Sequence, residues 1–222
     1  MKLFYIFILS LFIFLLAYCQ KCSREYFTTK TKNIILLGDS ILHNNIYTST
    51  GKGVCDIVKE RNPNTICYAT DNSKIIDVYR QLDNIPLLFN NSNTFLFLSV
   101  GANDLLFNYE EQQENLTDMT ILTSIFSAYK NLIKSIQTKL PNINIILLDI
   151  YYPTNLQYKP FYQIIKEWNT MLYTFTSQSF NKFYLLKIST ILTDKTDFSF
   201  NIEPSDTGSI KIANSILSFS YW

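Results

Sequence analysis

The serine at position 40 has the most evident chemical potential in this sequence. It ends the segment Gly38-Asp39-Ser40, directly after an apolar run that begins at Asn33. A serine at a strand-to-helix turn can act as a nucleophile, and Gly38 permits such a tight turn. The backbone N–H of Ser40 at a helix start would also face developing negative charge. Asp39 and Ser40 are, however, also residue types that cap helix N-termini.

A second polar segment, Gly101-Ala102-Asn103-Asp104, follows another apolar run. The side-chain amide of Asn103 is a suitable hydrogen-bond donor for the oxyanion that forms when an ester is cleaved. The same segment also fits an ordinary polar turn after a strand. A serine esterase needs a nucleophile, an oxyanion donor and a base that takes the hydroxyl proton, and these two segments could supply the first two.

The residues around these two segments predict alternating strands and helices, the pattern of a parallel sheet covered on both faces. The predicted strands are Asn33–Leu37, Thr65–Tyr68, Thr94–Ser99, Asn144–Leu148 and Phe183–Leu186. The predicted helices are Val54–Glu60, Ile75–Leu82, Met119–Lys139, Phe161–Phe180 and Asp206–Phe219. Right-handed crossovers make this an α/β fold, a three-layer α/β/α sandwich with a flavodoxin-like parallel sheet.

The ligand crevice of such a fold lies at the carboxyl ends of its strands. The segment with Ser40 directly follows the first predicted strand, and the segment with Asn103 directly follows the third. Both segments are therefore expected on loops that border the crevice.

These two segments resemble blocks of the GDSL-type (SGNH) serine hydrolases, in which blocks one, two, three and five carry Ser, Gly, Asn and His. Gly38-Asp39-Ser40-Ile41-Leu42-x-Asn44 is similar to the G-D-S-I-L-D-N form of block one, and Gly101-x-Asn103-Asp104 is similar to G-x-N-D of block three. The resemblance spans roughly residues 33 to 217. It implies ester hydrolysis without a cofactor, Ser40 as nucleophile and Asn103 as oxyanion donor, with Asp39, Gly101 and Asp104 contacting substrate.

Block two is altered, because the usual Gly is best matched to Asn72 in Ala69-Thr70-Asp71-Asn72-Ser73. The resemblance implies that the backbone N–H at this position is the second oxyanion donor. Asn is the non-glycine residue that best tolerates a left-handed backbone, so the donor could persist. Alternatively, Asn72 caps a helix that begins near Lys74.

Block five departs most from the family pattern D-x-x-H-P-x-x-x-G-x-x-x-I-A. Glu203 stands at the position of the His, and Phe200 at the position of its orienting Asp, with Asp197 the nearest acid upstream. Desolvation near Asp39 and other carboxylates could raise the pKa of Glu203 toward neutrality, which would suit a base. In the alternative, Glu203 is a solvated acid favoured by a helix dipole, and the site is a remnant.

His43 is the only histidine, three residues after Ser40. It is expected to border the crevice and contact substrate rather than to replace the missing base. A cluster of Asp39, Asp104 and Glu203 without nearby His or Cys does not favour a metal, so neither metal nor cofactor is expected. The segment Tyr151-Tyr152-Pro153 should reach the crevice, where it could shape an acyl or sugar pocket or simply pack helix against sheet.

The N-terminus carries an export signal, since Lys2 precedes an apolar run from Leu3 to about Cys19. Residues 1–22 are interpreted as a signal peptide or a signal anchor, 23–32 as a short linker and 33–222 as the SGNH hydrolase-like domain. The expected location is the secretory pathway, either secreted or held to the membrane by the apolar segment.

The charge and cysteine content of the chain limit its expected partners and location. The formal net charge is +1, and without a dense Lys/Arg cluster nucleic acid is not expected. Cys55 and Cys67 could form a disulfide in an oxidising lumen or remain buried thiols. Sequons at Asn90 and Asn115 permit, but do not require, glycosylation.

Two functions follow from the sequence. The first is an ester hydrolase that acts on a small acyl ester, a lipid or an acylated glycan. The second is an inactive pseudoenzyme that retains the crevice and binds a glycan or lipid. The spacing of the motifs leaves both open, because they differ only in whether Glu203 reaches Ser40.

Overall fold

The computed structural model describes residues 32–111, 119–179 and 183–219. Its central sheet has five parallel strands in the order β2-β1-β3-β4-β5. The strands are β1 (Asn33–Gly38), β2 (Thr65–Cys67), β3 (Thr94–Ser99), β4 (Asn144–Leu148) and β5 (Phe183–Leu186). This is the flavodoxin-like order, so the predicted fold class is confirmed.

Helices cover both faces of the sheet and form two separate cores. Along β1, Ile35 and Leu37 pack into one core, whereas Ile34 and Leu36 pack into the other. Successive side chains of a strand point to opposite faces, so a sheet covered on both sides requires an unbroken apolar run. The helices are α1 (Val54–Arg61), α2 (Ile75–Asp83), α3 (Ala102–Leu106), α4 (Met119–Lys139), α5 (Tyr162–Gln178) and α6 (Asp206–Phe219).

Two elements near the crevice were not predicted. The first is the short helix α3, which follows β3 after Gly101. The second is a small antiparallel hairpin of β6 (Phe198–Ser199) and β7 (Glu203–Pro204), which carries block five. Both are too short to produce a clear hydrophobic period in the sequence.

A disulfide joins Cys55 of α1 to Cys67 of β2, with Cα atoms 6.0 Å apart. Of the two alternatives left open by the sequence, a disulfide or two buried thiols, the structure thus has the disulfide.

In the described part of the chain, none of the helices combines the length and hydropathy of a membrane span. The predicted leader at 1–22 and the sequon at Asn115 lie outside the described residues.

Candidate active site

The turn that carries Ser40 is held by close packing against the neighbouring strand and helix. Gly38 has φ of 134°, and a Cβ atom there would overlap the carbonyl oxygen of Ser99. The buried amide of Gln81 in α2 accepts from the N–H of Gly38 and donates to its carbonyl, both at 2.8 Å. These contacts fix the direction in which the chain leaves β1 and enters the turn.

Asp39 lies beneath this turn with only 1% of its surface exposed. Its Oδ1 atom accepts from the N–H of Ile41 at 3.1 Å and from the hydroxyl of Ser99 at 2.9 Å. Burial raises the pKa of Asp39 to about 8, so its carboxyl is largely protonated at neutral pH. The side chain faces inward and supports the loop, and its expected contact with substrate remains a prediction.

Glu203 reaches the proposed nucleophile. The hydroxyl of Ser40 donates to Glu203 Oε1 at 3.3 Å, although the two residues are separated by 163 positions in the sequence. Burial raises the pKa of Glu203 to about 7, the hydrogen bond from Ser40 lowers it, and the negative charge of Asp71 raises it further. A carboxylate with this pKa, in contact with a serine hydroxyl, is suited to accept its proton near neutral pH.

The residues upstream of Glu203 do not orient it as an Asp orients a His. Phe200, at the position of that Asp, is 71% exposed in the hairpin turn. Asp197 is buried and forms a salt bridge of 2.7 Å with Lys211. Neither residue makes a hydrogen bond to Glu203 in the described part of the chain.

Glu203 is instead held through the peptide groups beside it. It pairs with Ser199 in the β6–β7 hairpin. The hydroxyl of Tyr151 donates to the carbonyl of Ile202 at 2.6 Å, and the side-chain amide of Asn44 donates to the carbonyl of Pro204 at 2.7 Å. Contacts on both sides thus determine where the Glu203 carboxylate lies.

Asn44 connects blocks one and five through its fully buried side chain. Besides Pro204, its amide donates to Ser209 Oγ at 2.6 Å, and its Oδ1 accepts from the N–H of Val54 at 3.0 Å. A buried group that loses its partner retains its full desolvation cost. Asn44 is therefore a positioning residue for Glu203.

We expect Asn44→Ala to lower the free energy of unfolding by about 3 kcal/mol, because three buried hydrogen bonds are lost together. In a domain of this size the melting temperature should fall by about 6–12 °C. Urea unfolding followed by circular dichroism measures the change. The exposed Asn64→Ala is the control and should remain within about 0.5 kcal/mol of wild type. Equal stability of the two variants would contradict the role assigned to Asn44.

The predicted oxyanion donors Asn72 and Asn103 lie on the loops after β2 and β3. Asn72 has φ of 58°, a left-handed conformation, while the N-cap of α2 is Lys74. The amide of Asn103 donates to the carbonyl of Ser73 at 3.0 Å. An Asn amide has two N–H donors, so this bond orients the group and leaves a second hydrogen for another acceptor. The two loops are thereby held together.

Asp104 strengthens the same connection, because its carboxylate accepts from the N–H of Ile75 at 3.1 Å at the start of α2. Burial raises the pKa of Asp104 to about 6. Gly101 has φ of 121°, and a Cβ there would contact the Trp168 ring. These two residues therefore fasten the Asn103 loop to the fold, and their expected contact with substrate remains a prediction.

His43 borders an open groove on the β2 side of the site, together with Asn72. Its Nδ1 atom is buried and lacks a hydrogen-bond partner among the described residues. Within the described ranges, no group of three or more His, Cys, Asp or Glu side chains could hold a metal ion.

An apolar cavity of about 40 Å³ lies on the other side, toward β4. Ala102 and Ile202, the neighbours of Asn103 and Glu203, contribute to its wall. Tyr151 and Pro153 also line it, so the aromatic segment after β4 both shapes a cavity and supports Glu203.

Gln81 and Asn44 are site residues that the sequence did not single out. The sequence contained a feature that could have identified Asn44, because this residue belongs to the block one pattern that resembles G-D-S-I-L-D-N. No feature of the sequence identified Gln81, because a polar residue in an amphipathic helix is ordinarily assigned to the solvent face.

Comparison with solved structures agrees with this fold. A family 3 carbohydrate esterase of Clostridium thermocellum superposes with a TM-score of 0.59 and 22% identity, covering 86% of this chain and 98% of that one. A member of the lipolytic G-D-S-L family from Veillonella parvula superposes with a TM-score of 0.64 and 18% identity, covering 84% of this chain and 96% of that one. An acetylxylan esterase of Geobacillus stearothermophilus superposes with a TM-score of 0.62 and 12% identity, covering 86% of this chain and 94% of that one.

No family model matches the sequence, and no curated protein matches it either. The similarity therefore lies in three-dimensional structure, at identities of 22% or lower in these three cases. The chain has the fold of the SGNH hydrolases, which confirms the resemblance inferred from blocks one and three.

Proposed function

We propose that this protein is an ester hydrolase with Ser40 as nucleophile and Glu203 as general base. The observation that carries the proposal is the hydrogen bond of 3.3 Å from the Ser40 hydroxyl to Glu203 Oε1. The raised pKa of Glu203, about 7, supports it, because a base is most effective when its pKa lies near the working pH.

The proposed reaction has two steps. In the first, Ser40 Oγ attacks the ester carbonyl as its proton passes to Glu203, and the alcohol leaves with that proton. In the second, water attacks the acyl-serine ester as Glu203 takes its proton, and Glu203 then returns that proton to Ser40 Oγ as the bond to the acyl group breaks and the carboxylic acid departs. The backbone N–H groups of Ser40 and Asn72 and the amide of Asn103 would stabilise the oxyanion in both steps.

A glutamate can act in this role without an orienting acid. A histidine has two tautomers, and a partner carboxylate selects the one that can accept the serine proton. A carboxylate has no such tautomers, so it needs only correct placement. Asn44 and Tyr151 provide that placement through the flanking peptide groups, which fits the presence of Phe200 where relatives carry Asp.

The size of the apolar cavity favours a short acyl group. Its volume is about 40 Å³, and its walls are apolar side chains such as Leu105 and Ile164. A short acyl group such as acetyl is the occupant that we propose. Two of the similar structures are described as a carbohydrate esterase and an acetylxylan esterase, which agrees with short acyl esters as substrates.

We also propose that the domain acts in the secretory pathway or outside the cell. The Cys55–Cys67 disulfide supports an oxidising compartment, and the apolar segment from Leu3 to Cys19 supports export.

Ser40→Ala tests the function directly. We expect wild type to hydrolyse p-nitrophenyl acetate and butyrate and to react with a fluorophosphonate probe, because only an activated serine is labelled. Ser40→Ala should lose the label and at least about 10³-fold of the rate, since the nucleophile is gone. Ser135→Ala is the control, because the Ser135 hydroxyl lies on α4 and donates to the carbonyl of Asn131, and this variant should retain the label. Equal rates in wild type and Ser40→Ala would instead favour a binding protein without turnover.

A further inference from the structure

We infer that the open groove beside Asn72 binds the alcohol half of the substrate and selects a neutral, hydroxyl-rich alcohol such as a sugar. This inference rests on the proposed hydrolase function and specifies its substrate. The groove has a volume of about 670 Å³ and is lined in part by His43, Tyr68, Asp71, Asn72 and Arg80.

The groove lies beside the loop that carries Asn72, the proposed oxyanion donor. It extends from this loop along α2 to Arg80 and to Asn84, which follows the helix. Asp71 lines the groove next to Asn72, whose side-chain amide donates to the Asp71 carboxylate. An ester bound at Ser40 with its acyl group in the apolar cavity would leave its alcohol half to enter this groove.

The groove offers buried polar atoms that a hydroxyl group could satisfy. Asp71 Oδ2 accepts from the hydroxyl of Tyr47 at 2.9 Å and from the amide of Asn72 at 3.3 Å, which holds the carboxylate in place. Asp71 Oδ1 and His43 Nδ1 are buried and lack partners among the described residues. Buried polar atoms are normally hydrogen-bonded, so the side chains of Asp71 and His43, which line the groove, have the capacity to bond a ligand hydroxyl when they turn toward it.

The charges in the groove favour a neutral ligand. Asp71 and Asp77 supply negative charge, and Arg80 supplies positive charge along the same wall. A phosphate or a carboxylate would meet repulsion from the two acids, whereas an alkyl alcohol would leave these polar groups unpaired. A polyol with several hydroxyls can bond to acids, amides and Arg80 together, and the ring of Tyr68 offers it an aromatic surface.

Two acetate esters of primary alcohols test this selection. 6-O-acetylglucose and hexyl acetate share the acyl group and differ in the polarity of the alcohol half. We expect wild type to show a kcat/KM about tenfold or more higher for the sugar ester. The ratio of the two kcat/KM values is the measured quantity, because a change in the pKa of Glu203 affects both esters alike.

Asp71→Ala should reduce this ratio about tenfold, and Arg80→Ala should reduce it severalfold. Arg61→Ala is the matched control, since Arg61 is an exposed arginine that contacts Asn214 away from the groove, and it should keep the wild-type ratio. A wild-type ratio near one, or a ratio unchanged in both groove variants, would overturn the inference while Ser40-dependent hydrolysis still stands. Absence of Ser40-dependent hydrolysis of either ester would overturn the proposed function and this inference together.

Discussion

Replacement of Glu203 by Gln is expected to lower kcat for p-nitrophenyl acetate by about 10²–10⁴-fold. The amide keeps the shape of the side chain but cannot take the proton of Ser40, whose hydroxyl lies 3.3 Å from Glu203 Oε1. Steady-state kinetics of purified protein measure the change. Glu167→Gln provides a control, because Glu167 accepts a hydrogen bond from Gln163 on the exposed side of α5.

The pH dependence of wild type gives a second measure of the same group. Only ionised Glu203 can act as base, so kcat/KM should rise with pH through about 7 and level off above it. Because Asp71 raises the pKa of Glu203, Asp71→Asn should move the rising limb to lower pH, whereas the exposed Asp83→Asn should leave it in place. Glu203→Gln should lose this limb altogether.

The loss of activity in Glu203→Gln should not reflect unfolding. Burial raises the pKa of Glu203 from 4.5 to about 7, so its contribution to stability is present below about 4.5 and is lost as pH rises through 7. At pH 8 the Gln variant should therefore unfold at a urea concentration no lower than wild type. An inactive variant with clearly reduced stability would contradict this explanation, and an active, stable variant would exclude Glu203 as the base.

Gly38→Ala is expected to destabilise the protein by more than about 4 kcal/mol, the range reached by severe steric mutants. At φ of 134° an L-residue is strained, and the new Cβ would overlap the Ser99 carbonyl, which belongs to the backbone of β3 and cannot move aside freely. Urea unfolding would measure the effect, together with the fraction of soluble protein.

Gly51→Ala is the matched control for this experiment. Gly51 also has a positive φ, 69°, but nothing lies within 4 Å of a Cβ built there. It should therefore lose only about 1 kcal/mol, the cost of a left-handed backbone for a residue other than glycine. Similar losses in both variants would show that backbone conformation alone, rather than contact with β3, explains the need for Gly38.

Much of the fold could be predicted from the sequence because the sheet is buried on both faces. Apolar runs such as Asn33 to Leu37 are then continuous, and the helices between them show a clear amphipathic period, so their observed bounds differ from the predicted ones by at most two residues. The α3 helix and the β6–β7 hairpin were missed because elements of five and two residues carry too few positions to show a period.

The candidate site divides in the same way. Ser40 and Asn103 could be found because each directly follows a strand within a recognisable motif. The contacts that hold the site in place could not be predicted, because they join residues distant in the sequence. Gln81 and Gly38 are 43 residues apart, and Asn44 and Pro204 are 160 residues apart. The burial of Asp39 beneath the turn could not be predicted for a related reason, because the sequence does not show on which side of a turn a carboxylate lies.

The sequence by itself determined the three-layer fold and the loop on which Ser40 lies, because hydrophobic period and turn chemistry are local properties. It left two interpretations of Glu203 open, a general base or a solvated acid in an inactive site. Only the tertiary structure decided that its carboxylate is largely buried and lies within hydrogen-bond distance of the Ser40 hydroxyl. Both facts depend on residues that are distant in the chain, since burial and proximity arise only when the hairpin, the β1 turn and Asn44 pack together.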